Sequence, residues 1–404
     1  MANERSDIAD KLESLAQQLT ETGKCIREGR ITLESSLADR VKLLSAVKEV
    51  ADSVKQPSDE IMEMLPMFAN VVAIRLFIKW KAFENIPTNG AISYKDLAEK
   101  VGAEANLIIM YYTDTDHKPA SHQVAHTRRS QLYTTLNPMS AVMQVASARF
   151  DDHLPSFAAM PEYFDKFGLK EPTSRHETIY AYSMDQLGST VWEIMNKHED
   201  RMRNFMLAMD ATDQNYPHLG SYDLSWVVSK ASESEGRMLL VDVGGGKGQA
   251  IRGVLKATPG LPSHRCVLED LPEVVEAAKK MADPALSDIK FMGMDFHGKQ
   301  PVRGALVYYL RRCLHDYGDD ECVGILQSIS DAMVADSRLL ILEQVMSNPP
   351  SVTAAATDIF MAGIGGKERT LDGFRDIAGR AGLKILGLHG NPGTDAAVVE
   401  CAKA

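Results

Sequence analysis

The stretch Leu239–Gln249 (LLVDVGGGKGQ) constrains the fold of this chain more than any other. An apolar run that contains Asp242 leads into a glycine cluster and then into a helical segment, Ala250–Ala257. This order predicts a buried strand, a tight turn and a helix start, because glycines let the backbone take positive φ angles and approach a ligand closely. The spacing differs from the G-x-G-x-x-G of dinucleotide-binding proteins, since Ala250 closes it poorly. Asp242 would also repel a pyrophosphate and suits a cationic amine instead.

After Gly236 the sequence alternates between strand-like and helix-like segments. The predicted strands are Met238–Val243, Arg265–Leu268, Ile289–Met294, Ala305–Leu310, Leu339–Gln344, Lys384–Leu388 and Ala396–Cys401. The predicted helices are Ala250–Ala257, Glu273–Met281, Asp320–Met333 and Leu371–Ala381. Such alternation favours an α/β fold with a mostly parallel sheet and helices on both faces. Ligands of such sheets bind beyond the carboxyl ends of the strands, near the switch point of the topology.

Acidic residues stand at the ends of three successive predicted strands. Asp242 ends the first, and Asp270 follows the second, where it is well placed to bind ribose hydroxyls. Asp295 and Phe296 follow the third, and this pair suits the amino group and the ring of an adenine. One acid at one strand end would carry little weight. Three of them after a glycine turn indicate an adenosine ligand that has no phosphates.

The first part of the chain reads as helical. Residues 6–55 carry apolar side chains at helical spacing, and such a stripe needs either a second subunit or the chain's own core to cover it. We therefore expect a homodimer. The segment Met67–Trp80 is apolar on most sides and is expected to be buried. The segment Ile92–Gly102 predicts a short turn, a capped helix and a glycine stop, in the style of a winged helix.

Composition and charge argue against several other classes of protein. The net charge is -11, so a nucleic-acid partner is disfavoured. The five cysteines are scattered, which fits a reducing cytosol and predicts a cytoplasmic protein. The N-terminal sequence is charged and helical, unlike a signal peptide, and no apolar run is expected to span a membrane. The His and Asp residues of Met110–Ser130 fit no standard metal-ligand spacing, so we expect a solvated loop and no metal.

These features resemble the plant and fungal small-molecule O-methyltransferases that use S-adenosylmethionine. The resemblance covers roughly residues 145–404 and rests most strongly on Val241–Gly248, Glu269–Val274, Asp295-Phe296, Arg311–Asp316 and Gly365–Thr370. It implies a Rossmann-like methyltransferase domain over residues 136–404, with a helical substrate-pocket segment at 136–235. It also implies a mostly helical, winged-helix-like dimerisation region over residues 1–135, and an interlocked homodimer.

The resemblance carries the cofactor site over by position. Asp242 and the glycines would line the methionine part, Asp270 the ribose, and Asp295 with Phe296 the adenine. Arg311 stands where the family often has a basic residue near the cofactor. The expected S-adenosylmethionine-binding residues are Asp242, Gly244, Gly245, Gly246, Asp270, Leu271, Asp295, Phe296 and Arg311.

The catalytic position of the family carries over to His315, with Glu343 and Glu368 as supporting carboxylates. The chemistry is consistent with these residue types. A phenol of pKa about 10 is mostly protonated at neutral pH, and a nearby imidazole can take its proton as the oxygen attacks the methyl group. A carboxylate then fixes the tautomer of the histidine and stabilises its charged form. The expected reaction is methylation of a phenolic or enolic hydroxyl of a secondary metabolite.

The predicted substrate pocket departs from the family pattern. Its residues are His153, Met184, Trp192, Phe205, Met209 and Met361. Met206 replaces the asparagine that usually precedes the pocket methionine, and His153 stands where the family tends to carry an uncharged side chain. Some fungal members of the family are pericyclases, which keep the cofactor unconsumed, and a pocket histidine would polarise a carbonyl or promote dehydration there. A non-enzymatic role, as a cofactor-binding regulator or a dimeric scaffold, is the third alternative.

Overall fold

The computed structural model describes residues 2–30, 37–111, 122–127, 130–134, 149–213, 216–233, 235–390 and 394–404. The chain forms two compact units, Met1–Thr134 and Thr135–Ala404. The helices of the first unit are Ala2–Arg27, Leu37–Val54, Pro57–Lys79, Ala82–Asn85, Tyr94–Val101 and Ala105–Tyr111. Two short strands, β1 (Ala91–Ser93) and β2 (Gln123–Ala125), pair antiparallel beside them. The first unit is therefore mostly helical, with one small two-stranded sheet.

The capped helix predicted within Ile92–Gly102 is confirmed. It spans Tyr94–Val101, and the hydroxyl of Ser93 accepts a hydrogen bond from the backbone N–H of Asp96 at 3.0 Å. Gly102 ends the helix with a positive φ of 68°, a conformation that costs glycine little. Short polar N-caps and glycine stops are local signals, which is why the sequence alone was sufficient here.

The prediction of a solvated loop over Met110–Ser130 is wrong for the described residues 123–126, whereas His122 is exposed in a turn as expected. Residues 112–121 and 128–129 lie outside the described residues, so most of the predicted His and Asp cluster is not covered. In the described part, Gln123–Ala125 forms β2, and the side chain of His126 is buried. Its Nδ1 lies 3.0 Å from the hydroxyl of Ser130, and burial lowers the pKa of the imidazole. The segment differs from a loop because Gln123–Ala125 pairs with the short strand β1.

The expected burial of Met67–Trp80 is also wrong in large part. Within the first unit, Ala73 and Phe77 are buried, but the helix Pro57–Lys79 exposes a broad apolar surface. Its exposed side chains are Ile61, Met62, Met64, Leu65, Met67, Phe68 and Val72. By length and composition this helix would also be able to cross a membrane, which corrects the expectation that the chain has no such run.

The second unit begins with helices and continues with alternating strands and helices. The helices are Leu154–Phe167, Ile179–Ser183, Val191–Asn196, Glu199–Asp213, Ser225–Ala231, Gln249–Ala257, Pro272–Lys280, Asp319–Ala332, Val352–Gly363 and Leu371–Arg380. The strands are β3 (Leu240–Val243), β4 (Cys266–Asp270), β5 (Lys290–Gly293), β6 (Val307–Arg311), β7 (Arg338–Met346), β8 (Arg369–Thr370), β9 (Leu383–Gly390) and β10 (Ala396–Lys403).

These strands form one sheet in the order β5-β4-β3-β6-β7-β10-β9, and β8 pairs with the end of β7. Strands β3 to β7 are parallel, whereas β10 runs antiparallel to both β7 and β9. The chain leaves β3 toward β4 on one side and returns to β6 on the other. This reversal is the switch point where open α/β sheets bind ligands.

Both faces of the sheet are covered. Consecutive side chains of a strand point to opposite faces, so Tyr308 and Tyr309 of β6 enter two different apolar clusters, and both are fully buried. The first cluster includes Ile325 and Phe374 from helices on one face, and the second includes Ile251 from a helix on the other. The fold is thus the predicted Rossmann-like α/β architecture, with strand bounds that differ from prediction by a few residues.

Candidate active site

The glycine turn after β3 brings the backbone into close contact with its surroundings. A Cβ atom at Gly244 would lie 2.9 Å from the sulfur of Cys313 and 3.2 Å from the ring of Phe296. A Cβ at Gly245 would lie 2.7 Å from Oδ2 of Asp242. Side chains larger than hydrogen are therefore excluded from this turn, which leaves bare backbone at the carboxyl edge of the sheet.

Asp242 lies at this edge with its carboxyl group almost fully buried. Burial raises its pKa to about 7, and the charge of Arg311 opposes that shift. Its Oδ2 atom is buried and has no hydrogen-bond partner among the described residues. A buried carboxylate oxygen without a partner is costly, and the donor it lacks is what a cationic amine would supply.

Asp270, at the end of β4, fixes the turn. Its Oδ2 accepts a hydrogen bond from the backbone N–H of Gly246 at 2.8 Å, and its Oδ1 accepts one from the N–H of Leu271 at 2.7 Å. Burial raises the pKa of Asp270, and both hydrogen bonds oppose this. Each carboxylate oxygen has two lone pairs, so the group retains capacity for ribose hydroxyls. The side chain of Leu271 is exposed beside it.

Asp295 and Phe296 follow β5 on the same edge. Asp295 is exposed and accepts a hydrogen bond from the N–H of His297 at 2.9 Å. The half-buried Phe296 ring lies 5.8 Å from the ring of Tyr317, edge to face, and also contacts the position of Gly244. The predicted adenine residues and the predicted methionine residues are thus in contact through Phe296.

Arg311, at the end of β6, makes contacts that the sequence does not reveal. Its guanidinium donates hydrogen bonds to the carbonyl oxygens of Pro217 at 3.1 Å and Tyr216 at 3.2 Å. Tyr309 donates from its hydroxyl to the carbonyl of His218. Arg311 therefore anchors the segment 216–218 over the strand ends, and its charge acts on Asp242. A direct role of Arg311 toward the cofactor stays a prediction.

Together these residues fit the S-adenosyl group. The bare turn at Gly244 and Gly245 admits a ligand, and the unpartnered Oδ2 of Asp242 suits an amino group. The carboxylate of Asp270 suits a diol, and Phe296 offers an aromatic surface. No phosphate-binding cation is needed in this arrangement.

His315 lies beyond the end of β6 and is 7% exposed. Its Nδ1 is 3.0 Å from Oε1 of Glu368 and 3.8 Å from Oε2 of Glu343. Its Nε2 is 3.6 Å from Oδ1 of Asp316. The backbone is fixed as well: the N–H of Lys367 donates to the carbonyl of His315 at 2.9 Å, and a Cβ at Gly366 would collide with that carbonyl. The structure thus brings the predicted histidine and both glutamates together.

Glu343 is held by main-chain donors. Its Oε1 accepts hydrogen bonds from the N–H groups of Cys313 and Leu314, each at 2.9 Å. Arg312 has a left-handed φ of 53°, and Cys313 has φ -117° and ψ -41°. A left-handed residue followed by a right-handed one turns successive N–H groups toward one point and makes an anion-binding concavity. Arg312 therefore shapes the binding of Glu343, a role the sequence analysis missed.

The charges around His315 determine its proton affinity. Burial lowers the pKa of the imidazole, but Glu343, Asp316 and Glu368 outweigh this effect and raise the pKa to about 9. One atom each from His315, Glu343 and Glu368 lies within 4.8 Å of the others, a spacing that would also suit a metal ion. The contact between Nδ1 and Glu368 instead favours a histidine oriented by carboxylates. The absence of a metal stays a prediction.

The predicted pocket residues are all half-buried, and several are in contact. The rings of Trp192 and Phe205 meet edge to face at 5.3 Å. Met184 and Phe205 pack on the same apolar cluster, and Met209 lies one helical turn after Phe205. Met361 lies in the helix Val352–Gly363.

His153 lies at the start of the helix Leu154–Phe167, where its side chain makes no capping hydrogen bond. Its ring packs edge to face on Phe360 at 4.9 Å. The neighbouring Asp152 is buried and accepts hydrogen bonds from the hydroxyl of Tyr180 at 3.1 Å and from Arg201 at 3.2 Å. This partly buried ion pair was not predicted, because a single Asp-His pair before a helix resembles an ordinary cap.

The chain is similar in sequence to known methyltransferases. The family model of the O-methyltransferase domain matches residues 169–384, more than half of the chain. Methyltransferase cfoD from Aspergillus candidus is 33% identical over 411 residues, which cover 98% of this chain and 99% of that protein. Methyltransferase pvhD from Talaromyces variabilis is 37% identical over 340 residues, which cover 82% of this chain and 92% of that protein.

Solved structures share the fold. The crystal structure of OxaC in complex with SAH and oxaline matches with a TM-score of 0.83 at 20% identity, over 99% of this chain and 100% of that chain. The structure of LepI in complex with SAM matches with a TM-score of 0.79 at 24% identity, over 96% of this chain and 100% of that chain. A third match, at a TM-score of 0.78 and 23% identity, is described as a pericyclic reaction enzyme.

Proposed function

Because this chain belongs to the O-methyltransferase family, an S-adenosylmethionine-dependent class, we propose that it methylates a phenolic or enolic hydroxyl of a secondary metabolite. The observation that carries the proposal is the position of His315, buried between Glu368 and Glu343 at the strand edge that carries the glycine turn. A histidine oriented in this way is suited to remove a proton from an oxygen acid.

The residues at the sheet edge would hold the cofactor. Asp242 would bind the amino group of its methionine part, Asp270 the ribose, and Asp295 with Phe296 the adenine. When bound, the cofactor supplies an electrophilic methyl group on a positively charged sulfur. The protein's own contribution is then to align the acceptor oxygen and to manage its proton.

His315 would manage that proton through Nε2, because Nδ1 is engaged by Glu368. With a pKa of about 9, about one imidazole in a hundred is neutral at about pH 7. The rate with a neutral phenol should therefore increase as the pH rises toward 9. An acceptor that binds already ionised avoids this limit, because the protonated imidazole then orients the oxyanion instead.

A second candidate is pericyclic chemistry with the cofactor bound and unconsumed. The half-buried His153, packed on Phe360 beside the buried Asp152, supports it, since an imidazole there would be able to polarise a carbonyl of the substrate. Against it, such chemistry does not require the cluster of His315, Glu343 and Glu368. Methyl transfer is therefore the better supported function.

Mass spectrometry separates the two candidates. Purified protein is incubated with S-adenosylmethionine and a panel of phenols, pyridones and reactive polyketide precursors. A product heavier by one methylene, with S-adenosylhomocysteine formed in step, supports methyl transfer. A product of unchanged mass, or one that has lost water, with the cofactor unconsumed, would instead support pericyclic chemistry and direct attention to His153.

The first unit supports a proposal about assembly. We propose a homodimer in which the exposed apolar side chains of the helix Pro57–Lys79 are covered by a second copy, because an apolar surface of this extent is rarely left to water. The sequence predicts a cytoplasmic protein that acts on a small molecule and has no membrane or nucleic-acid partner. A second copy of the chain is the partner that is consistent with this prediction. A membrane is the competing environment for this helix.

A further inference from the structure

The backbone at Arg312 is unusual for its residue type. Its φ of 53° lies in the left-handed region, which is strained for a side chain with a Cβ. The conformation itself is explained by Glu343, because it turns the N–H groups of Cys313 and Leu314 toward that carboxylate. Glycine would meet this demand without strain. The arginine side chain therefore needs a separate reason, and non-glycine residues with such strain cluster at functional sites.

The guanidinium of Arg312 differs from that of its neighbour. Its central carbon lies 5.2 Å from the centre of the Tyr216 ring, and that of Arg311 lies 5.3 Å from the same ring. Arg311 donates hydrogen bonds to the backbone of Tyr216 and Pro217. For the half-buried Arg312, no side-chain hydrogen bond or ion pair occurs within the part of the chain that the structure describes. The guanidinium of Arg312 is thus held over the Tyr216 ring, while its N–H donors make no hydrogen bond to the described residues.

The location of Arg312 connects it to the candidate catalytic groups. Burial raises the pKa of Tyr216, and the charges of Glu343 and Arg312 act on it next, in opposite directions. Burial also raises the pKa of Asp316, against the charges of His315 and Arg312. Arg312 and His315 thus share Asp316 as a neighbouring group, at the same end of β6.

We propose that Arg312 determines acceptor specificity. Its guanidinium would bind an anionic acceptor at the oxygen next to the reacting one, so that the preferred acceptor is an acidic enol already ionised at neutral pH. A guanidinium matches two oxygens of a β-dicarbonyl enolate with parallel N–H donors. Glu343, Glu368 and Asp316 place three carboxyl groups around the single imidazole of His315, so a second cation would favour an anionic acceptor. The inference rests on the proposed methyl transfer at His315, and it names the class of acceptor.

The variant Arg312→Gly tests the side chain alone. Glycine can keep the left-handed backbone, so the fold and the hydrogen bonds that hold the Glu343 carboxylate are retained. Calorimetry is performed on protein loaded with S-adenosylhomocysteine, with a 3-acetyl-4-hydroxy-2-pyrone as the anionic probe and its neutral 4-methoxy analogue as the partner. We expect wild-type protein to prefer the anion. In Arg312→Gly, the dissociation constant of the anion should rise about 10-fold or more, with little change for the neutral analogue.

Two further variants control the result. Arg312→Lys keeps the charge and loses the planar donors, so its affinity for the anion should fall between those of the wild type and of Arg312→Gly. Arg375→Met removes a surface charge that pairs with Asp372 and should change neither affinity. A purely structural role for Arg312 would lower the thermal unfolding temperature and weaken both probes equally.

The outcomes are distinct. A wild-type protein that binds S-adenosylhomocysteine but does not prefer the anionic probe overturns the inference, as does an Arg312→Gly protein that retains the preference. A protein that binds no S-adenosylhomocysteine, or forms none from S-adenosylmethionine with any acceptor, contradicts the proposed function instead. Cofactor affinity in Arg312→Gly is measured first, so that the two failures are not confused.

Discussion

The Nδ1 atom of His315 lies 3.0 Å from Oε1 of Glu368. This contact engages one ring nitrogen, so Nε2 is the nitrogen available for the proposed proton transfer. Glu368 is itself fixed, because its backbone N–H donates to Asp358 at 2.8 Å. The orientation of the histidine is thus set by Glu368, which lies in the segment between the helix Val352–Gly363 and β8.

Replacing His315 by alanine should abolish most turnover with a neutral phenol as acceptor. If the imidazole is the base, loss of it removes proton transfer, and kcat should fall about 100-fold or more. Binding of S-adenosylhomocysteine should be nearly unchanged, because Asp242 and Asp270 remain. Calorimetry and steady-state kinetics check both statements. Turnover at the wild-type rate in His315→Ala would contradict the assignment of the base.

The pH dependence of kcat should reflect the effect of the neighbouring carboxylates on the pKa of His315. With a neutral phenol as acceptor, kcat should increase with pH and level off near 9, where the imidazole loses its proton. Glu368→Gln removes a negative charge that raises the pKa of His315, so the profile should move to lower pH. Kinetics over a range of buffers measure the shift. An unshifted profile would mean that the limiting proton belongs to another group.

Asp270→Ala should weaken binding of the cofactor. The change removes the acceptor predicted for the ribose hydroxyls and also releases the N–H of Gly246, so affinity should fall about 10-fold or more. Asp270→Asn is the matched control, since it keeps one oxygen acceptor and the size of the side chain. Calorimetry with S-adenosylhomocysteine would contradict this placement if all three proteins bound alike.

Glu269→Gln should stabilise the protein at alkaline pH. Glu269 is fully buried, and burial raises its pKa from 4.5 to about 7 although Gln300 donates to its Oε2 at 2.8 Å. The folded state thus binds this proton more tightly than the unfolded state does. The corresponding stability is present below about pH 4.5 and is lost as the pH rises through about 7.

A glutamine cannot ionise, so the free energy of unfolding of Glu269→Gln should exceed that of the wild type by about 2 kcal/mol at about pH 9. At about pH 4 the two proteins should be similar. Urea denaturation at both pH values measures the difference. Equal stabilities at alkaline pH would show that the buried carboxylate is better compensated than its contacts indicate.

Charges on the exposed apolar helix should dissociate the proposed dimer. Ile61 and Leu65 lie one turn apart and are each 70% exposed in the chain. The double variant Ile61→Glu, Leu65→Glu should sediment as a monomer where the wild type sediments as a dimer. Leu169→Glu provides a control, because this leucine is also exposed but lies outside that helix. A wild-type monomer in detergent-free buffer contradicts the dimer.

The sequence was sufficient for the sheet because its signals are local. Alternating apolar segments and glycine stops define strands and helices without knowledge of their neighbours, and strand order then places Asp242, Asp270 and Asp295 on one edge. The grouping of His315, Glu343 and Glu368 was reachable only through the resemblance, since the three are far apart in the chain.

Other features depend on contacts that a sequence does not encode locally. The apolar pattern of Met67–Trp80 does not say what covers it, and within its own unit most of that surface stays exposed. The left-handed backbone of Arg312 is set by the carboxylate of Glu343, which is distant in sequence. In the sequence, the only indication of a special role for Arg312 is its place directly after a predicted strand, in a pair with Arg311.

The grip on Glu343 comes from main-chain N–H groups and not from the side chains of Cys313 and Leu314. Every amino acid except proline supplies such a donor. The side chains of both residues are buried in the apolar core, so substitutions there would change the packing of the core while the anchoring donors stay in place. The position of the carboxylate therefore depends on the path of the main chain, whichever apolar side chains fill the core at 313 and 314.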